Sequence, residues 1–160
     1  MTTWILRHRA TFVNLVNYTS GMSKSVGVLL RDGAAAVDTE VRAALAEHGF
    51  NEVQPGHHTV LRHLGEDGAR PCDLAANAGV SRQAVTKTLD DLERVGLVER
   101  TPDPADGRGV IVRYTPRGLA ALKVARTRMS QLERQYASQI GADRWRVARD
   151  VLEALFDAGG

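Results

Sequence analysis

From residue 26 onward, apolar side chains recur at helical spacing: Val26, Leu30, Val37, Val41 and Leu45, halted by Gly49. Pro55 and Gly56 open a second predicted helix that carries Val60, Leu61 and Leu64 and runs to residues 65–68. A short third helix is predicted over residues 72–78, where Gly79 breaks it. Ser81 is a natural N-cap for a fourth, whose apolar face is Val85, Leu89, Leu92 and Val95, with Gly96 to close it. The period then falls from 3.6 to 2. Residues 97–100 and the run Val110-Ile111-Val112-Arg113-Tyr114 read as two strands, and the turn formers of residues 101–109 read as the loop between them. Thr115-Pro116 restarts a helix with Leu122, Ala125, Met129, Leu132, Tyr136 and Ile140 on a heptad-like seam. After Gly141 a last helix places Trp145, Ala148, Val151, Leu152, Leu155 and Phe156 on one stripe. The prediction is a mainly α chain with one small β-hairpin.

Residues 1–23 stand apart, since the first acidic residue of the chain is Asp32. They read as a poorly ordered extension, or as an extra dimerising helix that would bury Ile5, Phe12, Leu15 and Val16. The 160 residues suit one domain plus a dimerising arm. Hydrophobic content of 43% and charged content of 25% argue against wholesale disorder. A single cysteine excludes an internal disulfide framework. No apolar run approaches the ~18 residues of a membrane span, and no apolar stretch follows Arg7 and Arg9 as a secretory signal requires. A cytoplasmic protein is expected. The net charge of +2 is too small to indicate a nucleic-acid partner.

Charge distribution says more than charge total. Short helix, Ala78-Gly79-Val80-Ser81 turn, capped helix and hairpin make a winged helix-turn-helix, with glycine admitting the positive φ of the bend. Between Asp73 and Asp90 there is no acidic residue, so the fourth helix begins with a clean donor surface. Gln83, Thr86, Lys87 and Arg94 project away from Val85, Leu89 and Leu92, and Ser81 and Arg82 occupy the positive end. Gln suits adenine, Lys suits guanine, Thr suits a base edge or the thymine methyl, and the helix start suits phosphate.

Three stretches in this order resemble the MarR family of bacterial regulators: Asp73-Leu74-Ala75 through Val80-Ser81-Arg82-Gln83-Ala84-Val85-Thr86, then Leu92-Glu93-Arg94-Val95-Gly96-Leu97-Val98, then Asp103-Pro104-Ala105-Asp106-Gly107-Arg108 with its exit Thr115-Pro116-Arg117-Gly118. The resemblance covers about residues 26–157. It implies a winged helix-turn-helix lobe at residues 55–115, a helical dimerisation region at 24–54 and 116–158, and an N-terminal extension at 1–23. It further implies a homodimer on a pseudo-palindromic double-stranded operator of roughly 16–20 base pairs. The recognition helix would enter the major groove, and Arg108, at the tip of the wing loop, the minor groove. The family often has two adjacent arginines at that tip; here Gly107 precedes Arg108.

The resemblance also implies a repressor released when a small aromatic or phenolic ligand binds between the dimer helices and the DNA lobe. Element order places Val41, Leu45, His48, Phe50, His57, His58, Leu61, Arg62 and Met129 near that region. His48, His57, His58 and His63 raise a metal-sensing alternative, but none lies i, i+4 from another, and no metal or other cofactor is expected. Cys72, beside Arg70 at a helix start, raises a redox alternative, against which a buried inert thiol is the plainer reading. No P-loop, HExxH or nucleophile elbow occurs, so no enzyme is expected. A winged helix that only binds protein is the remaining rival. Such a module would tolerate acidic residues on the recognition face.

Overall fold

A computed structural model describes residues 24–156, apart from the side chains of residues 107 and 108. The extension predicted for residues 1–23 lies outside the described residues. Six helices and two strands follow in order: α1 (Val26–Glu47), α2 (Pro55–Leu61), α3 (Pro71–Ala78), α4 (Arg82–Arg94), β1 (Val98–Asp103), β2 (Asp106–Tyr114), α5 (Pro116–Ile140) and α6 (Ala142–Phe156). The chain divides within α1, between Ala34 and Ala35, into two compact units. In the first, Lys24 Nζ pairs with Asp32 at 3.0 Å, and Val26 and Leu29 are exposed.

In the second unit the core forms where α2, α3 and α4 meet the hairpin. Leu74, Val85, Leu89, Leu92 and Val112 are fully buried there. The 4-and-3 spacing of Val85, Leu89 and Leu92 puts all three on the inner face of α4. Gly79 ends α3 in the left-handed conformation (φ 64°, ψ 29°), which a side chain would resist. The Ser81 hydroxyl then accepts the Ala84 amide at 3.1 Å and starts α4. At its far end Leu97 N–H reaches Leu92 O and Gly96 N–H reaches Glu93 O, both at 2.9 Å. The helix is therefore closed at both ends by its own chain.

Two expectations are corrected. The helix from Pro55 stops at Leu61 rather than near residue 65; Leu64 is still buried because tight i→i−3 turns (His63 N to Val60 O, 3.0 Å; Leu64 N to Leu61 O, 3.1 Å) fold it back. The hairpin is longer than predicted. Its strands reach Asp103 and Asp106, so the connection is the two-residue turn Pro104-Ala105. Asp103 explains the difference. Its carboxylate accepts the Ala105 amide at 2.9 Å and the Arg70 Nε at 2.7 Å, which turns a stretch of loop formers into ordered strand ends.

The strands run antiparallel from Val98 opposite Tyr114 to Pro102 opposite Val110, and the register shifts between Pro102 and Asp103. A bridge from Ala69 to Val112 ties the base of the hairpin to the segment before α3. The entry to α5 admits only glycine. A Cβ on Gly118 would lie 1.9 Å from Leu97 O, while Thr115 caps the helix by accepting Gly118 N–H at 3.0 Å. α6 starts at Ala142, directly after Gly141, and joins α5 through the rings of Tyr136 and Trp145, 5.3 Å apart.

Candidate nucleic-acid interface

The outer face of α4 is an exposed stripe at spacings of 4, 3 and 4: Gln83, Lys87, Asp90 and Arg94. Ser81, Arg82 and Thr86 are exposed beside its upper half. Thr86 Oγ1 donates to Arg82 O at 3.0 Å. Ser81, Arg82, Gln83, Thr86 and Lys87 thus occupy one surface of the first two turns. Arg94 does not share it: it lies about 10 Å beyond Lys87 along the axis and is ion-paired with Asp91.

Acidic residues enter the stripe at Asp90, and the structure shows what balances them. Arg100, on β1, places Nη2 2.6 Å from Asp90 Oδ1 and pairs with Glu93 through Nη1. Sequence reasoning missed Arg100, because its partners lie seven and ten positions away on another element. The wing is braced at its turn. Asp103 is only 4% exposed, and the Ala105 amide, then Arg70, hold its carboxyl below the usual range against the opposing effect of burial. The correction to the hairpin moves Arg108 from a loop tip into the backbone of β2; its side chain lies outside the described residues.

A cavity of about 210 Å³ lies among α1, α2 and α5 in the second unit. Its wall is mostly apolar, with Val41, Leu45, Leu61 and Met129 as expected, and it includes His58 and Arg62. Arg42 and Arg126 add two more cations, and Gln54 and Tyr114 further polar groups. Arg42 is paired with Asp38 at 2.9 Å and Arg126 with Glu66. The Tyr114 hydroxyl donates to Leu61 O at 3.0 Å, and burial pushes its pKa up to about 12. Arg126 was legible in principle: it stands between Ala125 and Met129 on the predicted seam.

His48, His57 and Phe50 do not line this cavity. His48 Nδ1 lies 2.8 Å from Ala44 O at the end of α1, and Phe50 packs under the Arg117 guanidinium. His57 is buried, accepts the Gln54 amide on Nδ1 at 3.2 Å, and has its pKa lowered by that burial. Among the described residues no group of three or more His, Cys, Asp or Glu is arranged to hold a metal ion. Cys72 is exposed, contrary to the buried thiol expected: as the second residue of α3 it faces away from Leu74 and Ala75, with its Sγ 3.5 Å from Asp73 Oδ1.

Residues 51–109 match the MarR family, and HTH-type transcriptional repressor Rv2887 of Mycobacterium tuberculosis is 30% identical over 131 residues, 81% of this chain and 92% of that protein. The chain belongs to the MarR family. The family consists of transcriptional regulators rather than enzymes. The reduced form of MarR from E. coli has the same fold, with a TM-score of 0.70 at 24% identity over 85% of this chain and 99% of that one. The repressor CouR, solved bound to a 23-mer DNA duplex, matches with a TM-score of 0.64 at 23% identity over 85% and 99%. In MarR terms α3 and α4 are the helix-turn-helix and β1–β2 the wing. No helix among the described residues is long and apolar enough to cross a membrane.

Proposed function

We propose that this MarR-family chain is a homodimeric repressor of a pseudo-palindromic operator, released when a small aromatic or phenolic acid enters the cavity. The observation that carries the reading is the exposed, acid-free opening of α4, with Ser81 and Arg82 at its positive end and Gln83, Thr86 and Lys87 on its outer surface. Gln83 and Lys87 would take adenine and guanine edges, Thr86 a base or the thymine methyl, Ser81 and Arg82 phosphate, and Arg108 the minor groove. Arg94, tied to Asp91, would reach at most a flanking phosphate.

Dimerisation accords with α6, which buries none of its residues: Val147, Val151, Leu155 and Phe156 are 57%, 50%, 65% and 62% exposed. The ligand class follows from an apolar wall carrying Arg42, Arg62, Arg126 and His58, which suits a flat apolar body with one carboxylate or phenolate. Release would follow from different affinities of the DNA-bound and free states for the acid.

Selection of bound duplexes from a random pool, followed by affinity measurement across salt, tests the function. Two half-sites about one helical turn apart and a steep fall of affinity with salt are expected. A flat salt dependence would overturn the DNA reading. Titration of the complex with a panel of aromatic acids tests the release step, and no member dissociating it would overturn that part alone.

A further inference from the structure

Asp90 is the one carboxylate in the outer stripe of α4, one turn below Lys87, and its side chain is 59% exposed. Residues three and four apart on a helix are neighbours, so an unpaired Asp90 would face Lys87 on one side and Arg94 on the other, and Arg94 is already paired with Asp91. In the structure Asp90 is held by Arg100 instead, and Lys87 makes no ion pair among the described residues. Arg100 suits this task. Its side chain is only 26% exposed, it comes from a different element, and its planar fork spans Asp90 and Glu93 together. Glu93 is exposed outside that stripe and is also tied down by the Arg100 backbone amide at 3.3 Å.

We infer that Arg100 is a positioning residue for DNA binding: by holding the Asp90 carboxylate, it keeps Lys87 free to meet the major groove. The inference rests on the DNA-binding reading above. Removing Arg100 leaves Asp90 to capture Lys87, so one helix loses a cation and presents a repelling carboxylate at the same place. The bond from the Arg100 amide to Glu93 is backbone and survives substitution of the side chain.

The test compares the unmutated chain with R100Q, D90N and D90N/R100Q on a fluorescently labelled duplex from the selection and on one of random sequence. R100Q should bind the selected duplex about tenfold more weakly, the scale of one base contact, and its salt slope should shrink by about 1. D90N, with Arg100 in place, should bind as tightly as the unmutated chain or more tightly. D90N/R100Q should recover most of the lost affinity and slope. Were Arg100 itself a phosphate contact, the double variant would remain as weak as R100Q; were the pair only a brace for the wing, D90N alone would weaken binding. Either result overturns the inference. Failure of the unmutated chain to bind either duplex is a different result, which overturns the regulator reading beneath it.

Discussion

Asp103 shows how much one side chain does here. It stops β1, caps the Pro104-Ala105 turn through the Ala105 amide, and anchors the wing to α3 through Arg70. Because its folded-state pKa lies below the unfolded value, its ionised form stabilises the fold at neutral pH. That contribution is present above about pH 4, where an unfolded carboxylate is ionised, and is lost as pH falls through the lower folded-state value. D103N should therefore show a flatter acid limb than the unmutated chain in denaturation followed from pH 6 downward. Gly118 sets a steric limit: G118A drives a Cβ into Leu97 O, and chemical denaturation should show a loss of about 3 kcal/mol or more. Ser81 is milder, and S81A should cost about 1 kcal/mol through the lost cap. Ser81 and Thr115 were legible as caps because a cap is local. Gly118, Arg100 and the Arg70 contact of Asp103 were not, since there the partners stand in other elements.

Among the elements, α4 was the most readable, because the apolar face at Val85, Leu89 and Leu92, the cap and the acid-free opening all lie within sixteen consecutive positions. The wing was the least. The turn formers from Thr101 to Gly109 hide the strand ends, and exposed Glu99 and Pro102 carry no alternating hydrophobic signal. α2 was over-extended for a related reason: Leu64 is buried, but by turns rather than by helical periodicity. The interface proposed on α4 would separate positioning from reading. Q83A should lose discrimination mainly at one base pair, by about 1–3 kcal/mol, while R82A should weaken all duplexes alike and reduce the salt slope by about 1. Binding of the operator and of single-base variants at several salt concentrations distinguishes the two patterns.

At the scale of the molecule, the chain places apolar surface where one copy has no use for it. The stripe predicted on the last helix is there, and Val151, Leu155 and Phe156 on it are at least half exposed. The pattern of apolar residues was visible in the sequence; what covers them was not, because periodicity marks a buried face without naming the element that buries it. V151E/L155E should convert a dimer to a monomer in sedimentation and abolish tight operator binding, since a lone lobe reads one half-site. Its thermal stability should change little if α6 contributes mainly to assembly.

Nine basic and nine acidic residues lie between positions 56 and 118, so that stretch carries no net charge, while Arg82 and Lys87 stand together on the acid-free opening of α4. Such a lobe behaves as a dipole rather than as a polycation. Attraction to random duplex scales with the phosphates a protein neutralises, so a lobe with few cations on its recognition face is expected to hold the bulk of a genome weakly. Fewer copies are then sequestered on wrong sites, and a modest number of molecules suffices to fill an operator. The arrangement trades speed of capture at long range for economy in the search.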